Sequence, residues 1–286
     1  MRYSELFHSS LSKFKDGSVE KKLEIEILIR EAFKLSKTDY WIKKNDVITD
    51  EKALQKFSGW LGRLLKAEPL AYIIEKKESF SREFYVNKNV LIPRPETEIL
   101  IEEAAALVKK MAAPVTVLDI GTGSGIIAVN LALETGARVA AVDSSKGALQ
   151  VLKRNITRHH VEDKVFPVCA DLFPPVGNPV IESGLFDVIV SNPPYVSPQE
   201  WENLPPGVKD YEPRQALIAG EGGTAVIERI AAGARDYLKP GGSLLLEIGC
   251  GQAVRVEEIL RRAGFVDIEF IKDYSNILRI VRSKLK

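Results

Sequence analysis

The tetrapeptide Asn192-Pro193-Pro194-Tyr195 follows a short apolar run over residues 186–191. Two consecutive prolines stop strand pairing, so nearby main-chain carbonyl groups are free to bind a ligand. The Asn192 side-chain oxygen and the Pro193 carbonyl oxygen can together accept both hydrogens of a planar NH2 group. The Tyr195 ring can cover that group and favour positive charge as the nitrogen is alkylated. The pattern therefore suits an amide or aniline-like nitrogen as acceptor, while an ordinary Asn-Pro turn is the plainer interpretation.

A second candidate segment is the glycine-rich loop Asp119-Ile120-Gly121-Thr122-Gly123-Ser124-Gly125. Glycines let the backbone turn sharply and let a ligand approach it closely. The loop fits two cofactors, because it also matches a relaxed dinucleotide fingerprint with Asp143 20 residues after Gly123. Charge favours one of them: the Asp119 carboxylate would repel a pyrophosphate, whereas it suits the cationic S-adenosylmethionine. Asp143 can then accept hydrogen bonds from both ribose hydroxyls.

A third candidate segment, Asp171-Leu172-Phe173, follows the apolar run over residues 165–170. Asp171 can accept from the exocyclic amine of adenine while Leu172 or Phe173 covers the ring. A simple loop with a packed Phe173 explains the segment equally well. His, Cys and carboxylate residues show no metal-ligand spacing, so we expect direct transfer chemistry without a metal.

These segments follow strands of a predicted α/β domain. After Pro114 the apolar pattern predicts strands that alternate with helices, over residues 115–120, 138–143, 165–170, 186–191, 243–249, 266–271 and 278–281. Such alternation predicts a mostly parallel sheet covered on both faces. Ligands bind such sheets at the carboxyl ends of the strands, so we expect the three segments to meet there.

The chain before Pro114 has a different pattern. Apolar stripes at helical spacing, such as the one from Ile25 to Phe33, predict a small helical bundle over residues 1–70. Short β-prone runs at Ala71-Tyr72-Ile73-Ile74 and Phe84-Tyr85-Val86 predict a linking hairpin over residues 71–92. The α/β domain then takes residues 93–286.

Composition limits the possible partners and the compartment. The 286 residues carry 40 Lys and Arg against 39 Asp and Glu, which gives a net charge of +1. This near-neutral balance argues against direct nucleic-acid binding. No apolar run reaches the length of a membrane span. Two cysteines, Cys169 and Cys250, without a CxxC partner suit a reducing cytoplasm.

Three segments together resemble the peptide-chain release factor glutamine methyltransferases of the HemK/PrmC type: Leu91-Ile92-Pro93-Arg94-Pro95-Glu96-Thr97-Glu98, residues 192–195, and Tyr211-Glu212-Pro213-Arg214-Gln215-Ala216-Leu217. The resemblance implies a class I, Rossmann-like methyltransferase sheet, a helical N-terminal domain that helps dock the substrate protein, and S-adenosylmethionine as cofactor. It implies methylation of the glutamine side-chain amide in the Gly-Gly-Gln loop of release factors, which are the expected partners. Cofactor contacts are implied at residues 121–125, Asp143, Leu172 and Asn192, with residues 192–195 holding the glutamine.

The chain departs from this family at a few positions. Glu75 and Ser81 stand where the family usually has glycine, and Leu172 stands where an aromatic residue is frequent. Two other acceptors also fit the tetrapeptide: a glutamine of a ribosomal protein, and the exocyclic amine of adenine in DNA. A DNA enzyme must flip the base and hold the duplex, which calls for a basic groove and usually a target-recognition domain. A net charge of +1 and 286 residues already assigned leave little room for either.

Overall fold

The computed structural model describes residues 1–15, 17–175 and 185–286. They form two compact units: Met1–Lys76 with Pro206–Tyr211, and Lys77–Pro205 with Glu212–Lys286. In these residues no helix combines the length and the apolar character that crossing a membrane requires. The helices, in chain order, are α1 Tyr3–Leu11, α2 Val19–Phe33, α3 Lys37–Lys43, α4 Glu51–Leu64, α5 Leu70–Ile73, α6 Pro95–Val108, α7 Ile126–Thr135, α8 Lys146–His159, α9 Pro198–Trp201, α10 Pro206–Lys209, α11 Ala225–Tyr237 and α12 Ala253–Arg262. The strands are β1 Lys76–Ser79, β2 Arg82–Tyr85, β3 Thr116–Ile120, β4 Arg138–Asp143, β5 Val165–Cys169, β6 Phe186–Ser191, β7 Leu238–Glu247, β8 Phe265–Lys272 and β9 Leu278–Leu285.

The first unit is helical, as its apolar stripes predict. Ile25 and Leu28 of α2 are fully buried and share one core with Phe57 of α4. Helix α4 has a side-chain N-cap, because the Asp50 carboxylate accepts a hydrogen bond of 2.9 Å from the Ala53 amide. Helix α3 also lies in the predicted helical region, and Ser36 and Asp39 form a capping box that marks its start.

The predicted strand at Ala71-Tyr72-Ile73-Ile74 is wrong, because this segment forms the single-turn helix α5. Pro69, with φ −57°, occupies the position just before that helix, and the Ile74 amide donates to the Leu70 carbonyl at 3.0 Å. A proline at a helix start favours a helical turn over strand pairing, and this local constraint outweighs the β propensity of the isoleucines.

The hairpin itself is formed by β1 and β2, with Phe80 and Ser81 at its tip. Both tip residues have positive φ, +52° and +57°, and Glu75 just before β1 has φ +55°. Two successive left-handed residues match the twist of a tight hairpin, and glycine adopts that conformation with the least strain. This explains physically why glycine suits the Glu75 and Ser81 positions.

The second unit contains a seven-stranded sheet with the order β5-β4-β3-β6-β7-β9-β8. The first five strands in that order are parallel, whereas β9 runs antiparallel to both of its neighbours. One apolar core contains residues of α6, α7 and α8, and a second contains residues of α11 and α12. The predicted α/β architecture, a mostly parallel sheet covered on both faces, is confirmed.

Candidate active site

The carboxyl ends of β4, β3 and β6 lie side by side at one edge of the sheet. Ile120, the last residue of β3, pairs with Val142 on one side and with Ser191 on the other. The loops that follow these strands therefore begin next to each other, as the strand-end rule predicts. They border one cavity, whose lining includes Gly121, Thr122, Gly123, Ser124, Asp143, Asp171, Leu172, Asn192 and Pro194.

The glycine-rich loop is held in a fixed shape by its neighbours. Asp143 accepts a hydrogen bond of 2.9 Å from the Gly123 amide through Oδ2 and one of 2.8 Å from the Ser145 amide through Oδ1. The Thr122 amide donates to the Val142 carbonyl at 2.9 Å. Burial raises the pKa of Asp143 even though both amides favour its charged form. The carboxylate thus links the loop to the next strand as well as facing the cavity.

Gly121 and Gly123 supply open space at the cavity wall. Their φ values are +69° and +55°, and a Cβ atom on Gly121 would meet no atom within 4 Å. Gly125 differs, because a Cβ atom there would lie 2.3 Å from Leu152 Cδ1. The first two glycines therefore form a cradle into which a ligand can fit closely, whereas the third permits close packing of α7 against α8.

Asp119 lies beneath the loop and does not line the cavity. Its side chain is fully buried, and its Oδ2 accepts a hydrogen bond of 2.6 Å from the Thr122 hydroxyl. Burial raises the pKa of this carboxyl to about 7, against the opposing effect of the Thr122 bond. The structure therefore shows Asp119 supporting Thr122, and a direct contact with a cationic ligand stays a prediction.

The segment after β5 presents one of its two apolar side chains to the cavity. Leu172 lines the cavity, whereas Phe173 stacks on Tyr237 with ring centroids 4.7 Å apart. Leu172 therefore lies where a ring face can be covered. The Asp171 carboxylate accepts a hydrogen bond of 2.7 Å from Arg229, and both side chains are exposed at the cavity rim. Its contact with adenine stays a prediction.

The tetrapeptide after β6 presents only part of its length to the cavity. Asn192 and Pro194 line it, whereas Pro193 is buried and the Tyr195 side chain is directed towards Glu247. The Tyr195 hydroxyl donates to Glu247 Oε1 at 3.5 Å, and burial raises the pKa of Tyr195 to about 12. Within the described residues no group of three or more His, Cys, Asp or Glu side chains is placed to hold a metal ion.

Comparison with known proteins decides the family. The model of the methyltransferase small domain matches residues 97–204, and that of the PrmC N-terminal domain matches residues 5–74. A release factor glutamine methyltransferase of Geobacter sulfurreducens is 38% identical over 94% of this chain and 91% of its own length. One of Chlorobaculum tepidum is 35% identical over 96% of this chain and 94% of its own length. The chain belongs to the release factor glutamine methyltransferases.

A solved methyltransferase structure from Pyrococcus furiosus shares the fold. It is 19% identical, with a TM-score of 0.53 over 79% of this chain and 98% of that one. This likeness concerns the fold alone.

Within this family member, several polar residues that sequence analysis missed support the predicted ones. The Asn155 carboxamide donates to the carbonyls of Ser124 and Tyr85, at 2.8 and 3.0 Å, and accepts from the Tyr85 amide at 2.7 Å. It therefore joins the glycine-rich loop to hairpin strand β2. Asn155 lies in an amphipathic helix, α8, and has no local feature that distinguishes it from an ordinary helix residue.

Two segments of the family resemblance are also joined directly. Arg94 donates to Glu212 Oε1 at 2.6 Å, and the Ile92 amide donates to Glu212 Oε2 at 3.1 Å. The Glu212 side chain is only 1% exposed, so these bonds satisfy a buried carboxylate. The cavity residues Pro93 and Gln215 lie in the two segments that this contact holds together.

Proposed function

We propose that this protein transfers the methyl group of S-adenosylmethionine to the side-chain amide nitrogen of a glutamine in a peptide-chain release factor. One observation carries the proposal: Asn192 and the cradle of Gly121 and Gly123 line one cavity in a member of this family. A planar NH2 group bound at Asn192 is therefore next to the expected cofactor position.

The residues at the strand ends fit the cofactor. Gly121 and Gly123 leave room at the cavity wall, where side chains would obstruct a ligand. The Asp143 carboxylate borders the cavity and is suited to ribose hydroxyls, while Leu172 offers an apolar surface for adenine. We propose that Thr122, Ser124, Asp171 and Asn192, which share the lining, complete this site, and that Gly125 and Asp119 support it from beneath. The bound cofactor would supply an electrophilic methyl group.

Orientation is the main contribution of the acceptor residues. An amide nitrogen is a weak nucleophile because its lone pair is delocalised, so holding it in line gives much of the rate enhancement. We propose that the Asn192 oxygen and the Pro193 carbonyl accept the two amide hydrogens, with Pro194 and Tyr195 enclosing the group. The proton then leaves after the new bond forms, so no strong base is required.

The docking role of the helical region is part of the same proposal. We propose that residues 1–70 help to bind the release factor, that residues 71–92 form the link, and that residues 93–286 perform the transfer. A partner that acts in translation termination also implies a cytoplasmic enzyme.

The test is methyl transfer from labelled S-adenosylmethionine to a purified release factor. The control substrate is the same factor with alanine in place of the glutamine in its Gly-Gly-Gln loop. We expect label on the unmodified factor alone. Equal labelling of both proteins would refute the assignment of that glutamine as the acceptor. If neither protein is labelled although the cofactor binds, release factor is not the substrate, and a ribosomal protein and DNA are the next acceptors to test.

The variant Asn192→Ala tests the acceptor site within this assay. It should lose most turnover while its affinity for the cofactor changes little, because Asn192 is assigned mainly to the acceptor. Asn203→Ala, which removes an exposed asparagine outside the cavity, is the matched control and should keep full activity. A fully active Asn192→Ala enzyme would contradict the proposed site.

A further inference from the structure

A row of hydrogen bonds connects the acceptor tetrapeptide to a buried carboxylate. Asn192 Nδ2 donates to Thr97 Oγ1 at 3.1 Å, and the Thr97 hydroxyl donates to Glu247 Oε2 at 2.8 Å. The other carboxylate oxygen, Oε1, accepts from the Tyr195 hydroxyl at 3.5 Å. Thr97 lies in the first turn of α6 and Glu247 ends β7, and these two residues are 2% and 1% exposed. Three separate elements thus meet at one polar row.

The donors and acceptors in this row fit together in one direction. An ionised carboxylate can only accept, so the single hydroxyl proton of Thr97 is directed to Glu247. Thr97 then presents a lone pair to Asn192, and only the NH2 end of the Asn192 carboxamide can donate to it. The amide oxygen is consequently turned away from Thr97. In the described residues this oxygen accepts no hydrogen bond, and Asn192 lines the cavity.

We propose that Thr97 and Glu247 are positioning residues that orient the Asn192 carboxamide so that its oxygen receives the substrate NH2 group. The inference rests on the proposed function, since it concerns how that acceptor site is set. Reversing the Asn192 amide would present a second NH2 group to the substrate, and two donors facing each other cannot bond. The two orientations of the Asn192 carboxamide have nearly the same shape, and the row of hydrogen bonds therefore selects the productive one.

The surroundings of Glu247 make this device sensitive to pH. Burial raises the pKa of Glu247 to about 7, and the Glu96 carboxylate acts in the same direction. The hydrogen bonds from Thr97 and Tyr195 and the charge of Arg279 act in the opposite direction. A proton on Oε2 would make Glu247 a donor to Thr97, which would then direct its own proton towards Asn192. The ionised form is the one that holds the amide oxygen free, so turnover should rise with pH through about 7.

The experiment compares Thr97→Val with Thr97→Ser in the release factor assay. Valine keeps the shape of threonine but has no hydroxyl, whereas serine keeps the hydroxyl. We expect Thr97→Val to lower kcat at least tenfold, with the cofactor Kd and the KM for release factor within twofold of wild type. Thr97→Ser should stay within threefold of wild-type kcat. If Thr97 had a purely structural role, Thr97→Val would lower the stability of the protein but would not lower kcat while leaving KM unchanged.

Glu247→Gln provides a second measurement that does not depend on Thr97. Glutamine does not titrate, so the variant should lose the rise in kcat between pH 6 and pH 8 that we expect of wild type. Suppose that the wild-type enzyme is active but Thr97→Val has the same kcat, or that Glu247→Gln keeps the wild-type pH profile. Either result would refute the positioning role and leave the proposed function standing. A wild-type enzyme that labels no release factor would refute the proposed function and this inference with it.

Discussion

The glycines of the loop after β3 should respond differently to alanine. Gly125 has φ +82°, and an added Cβ would lie 2.3 Å from Cδ1 of Leu152, a fully buried side chain. Gly121 has φ +69°, and an added Cβ would meet nothing within 4 Å. Both substitutions strain the backbone, but only Gly125→Ala creates a collision inside the protein. Only Gly121→Ala adds a methyl group to a residue that lines the cavity.

The expected magnitudes follow from these contacts. A non-glycine residue in the left-handed region costs ~1–2 kcal/mol. Overpacking a dense core adds ~1–3 kcal/mol, so Gly125→Ala should lower the free energy of unfolding by about 2–5 kcal/mol. Gly121→Ala should lose only the backbone contribution. Its affinity for S-adenosylmethionine should nevertheless fall about tenfold or more, which corresponds to ~1.4 kcal/mol of binding free energy.

Urea unfolding and calorimetric titration with S-adenosylmethionine measure the two effects separately. Gly136→Ala is the matched control, because Gly136 has φ +74°, an added Cβ would meet no atom within 4 Å, and the residue lies outside the cavity. It should show the backbone cost with unchanged cofactor affinity. A Gly125→Ala protein as stable as this control, or a Gly121→Ala protein with wild-type affinity, would refute the assignment of the two glycines.

Three further predictions concern buried polar groups. Asn155→Leu should lower the free energy of urea unfolding by about 2–4 kcal/mol, because it leaves backbone groups of the hairpin and the glycine-rich loop unpaired; an unchanged midpoint would contradict this. Arg94→Met should cost about 3–5 kcal/mol in the same assay, since the Glu212 carboxylate stays buried without its cation, and adding Glu212→Gln should recover much of the loss. Glu247→Gln should gain stability relative to wild type between pH 5 and pH 8, by up to about 3 kcal/mol. Burial raises the pKa of Glu247 from 4.5 to about 7. The stability that protonated Glu247 contributes is therefore fully present below pH 4.5 and is lost as the pH rises through 7. If the free energies of unfolding of the variant and of wild type differ by the same amount at every pH, this prediction is wrong.

The strand ends could be predicted because their signals are local. Each apolar run is short and bounded by polar or glycine residues, and the rule for parallel sheets then places Asp143 and Asn192 beside the glycine-rich loop. The error at Ala71-Tyr72-Ile73-Ile74 has a local cause as well. β propensity reflects packing on a sheet surface, and a four-residue run after a proline has no such surface to join.

The supporting residues could not be predicted, because their partners are distant in sequence. Thr97 lies 95 residues from Asn192 and 150 from Glu247, and Asn155 lies 70 residues from Tyr85. A buried hydrogen bond leaves no periodic pattern in the sequence, since it depends on one atom of each partner. A glutamate that ends an apolar strand, as Glu247 does, is compatible with a solvent-exposed strand end until the fold places α6 over it.

Hydrogen bonds join the segment around residues 92–98 both to the tetrapeptide and to the third segment of the resemblance. Thr97, from the first segment, bonds to Asn192 of the second, while Arg94 bonds to Glu212 of the third segment of the resemblance. Glu98 accepts from the Ser79 hydroxyl at 2.7 Å and so connects α6 to the hairpin. A tetrapeptide without a hydroxyl and an acidic partner behind it has two amide orientations available, and only one of them accepts an NH2 group. On the proposed function, Thr97 of the first segment and Glu247 of β7 would therefore hold Asn192 in the orientation that accepts a substrate amide.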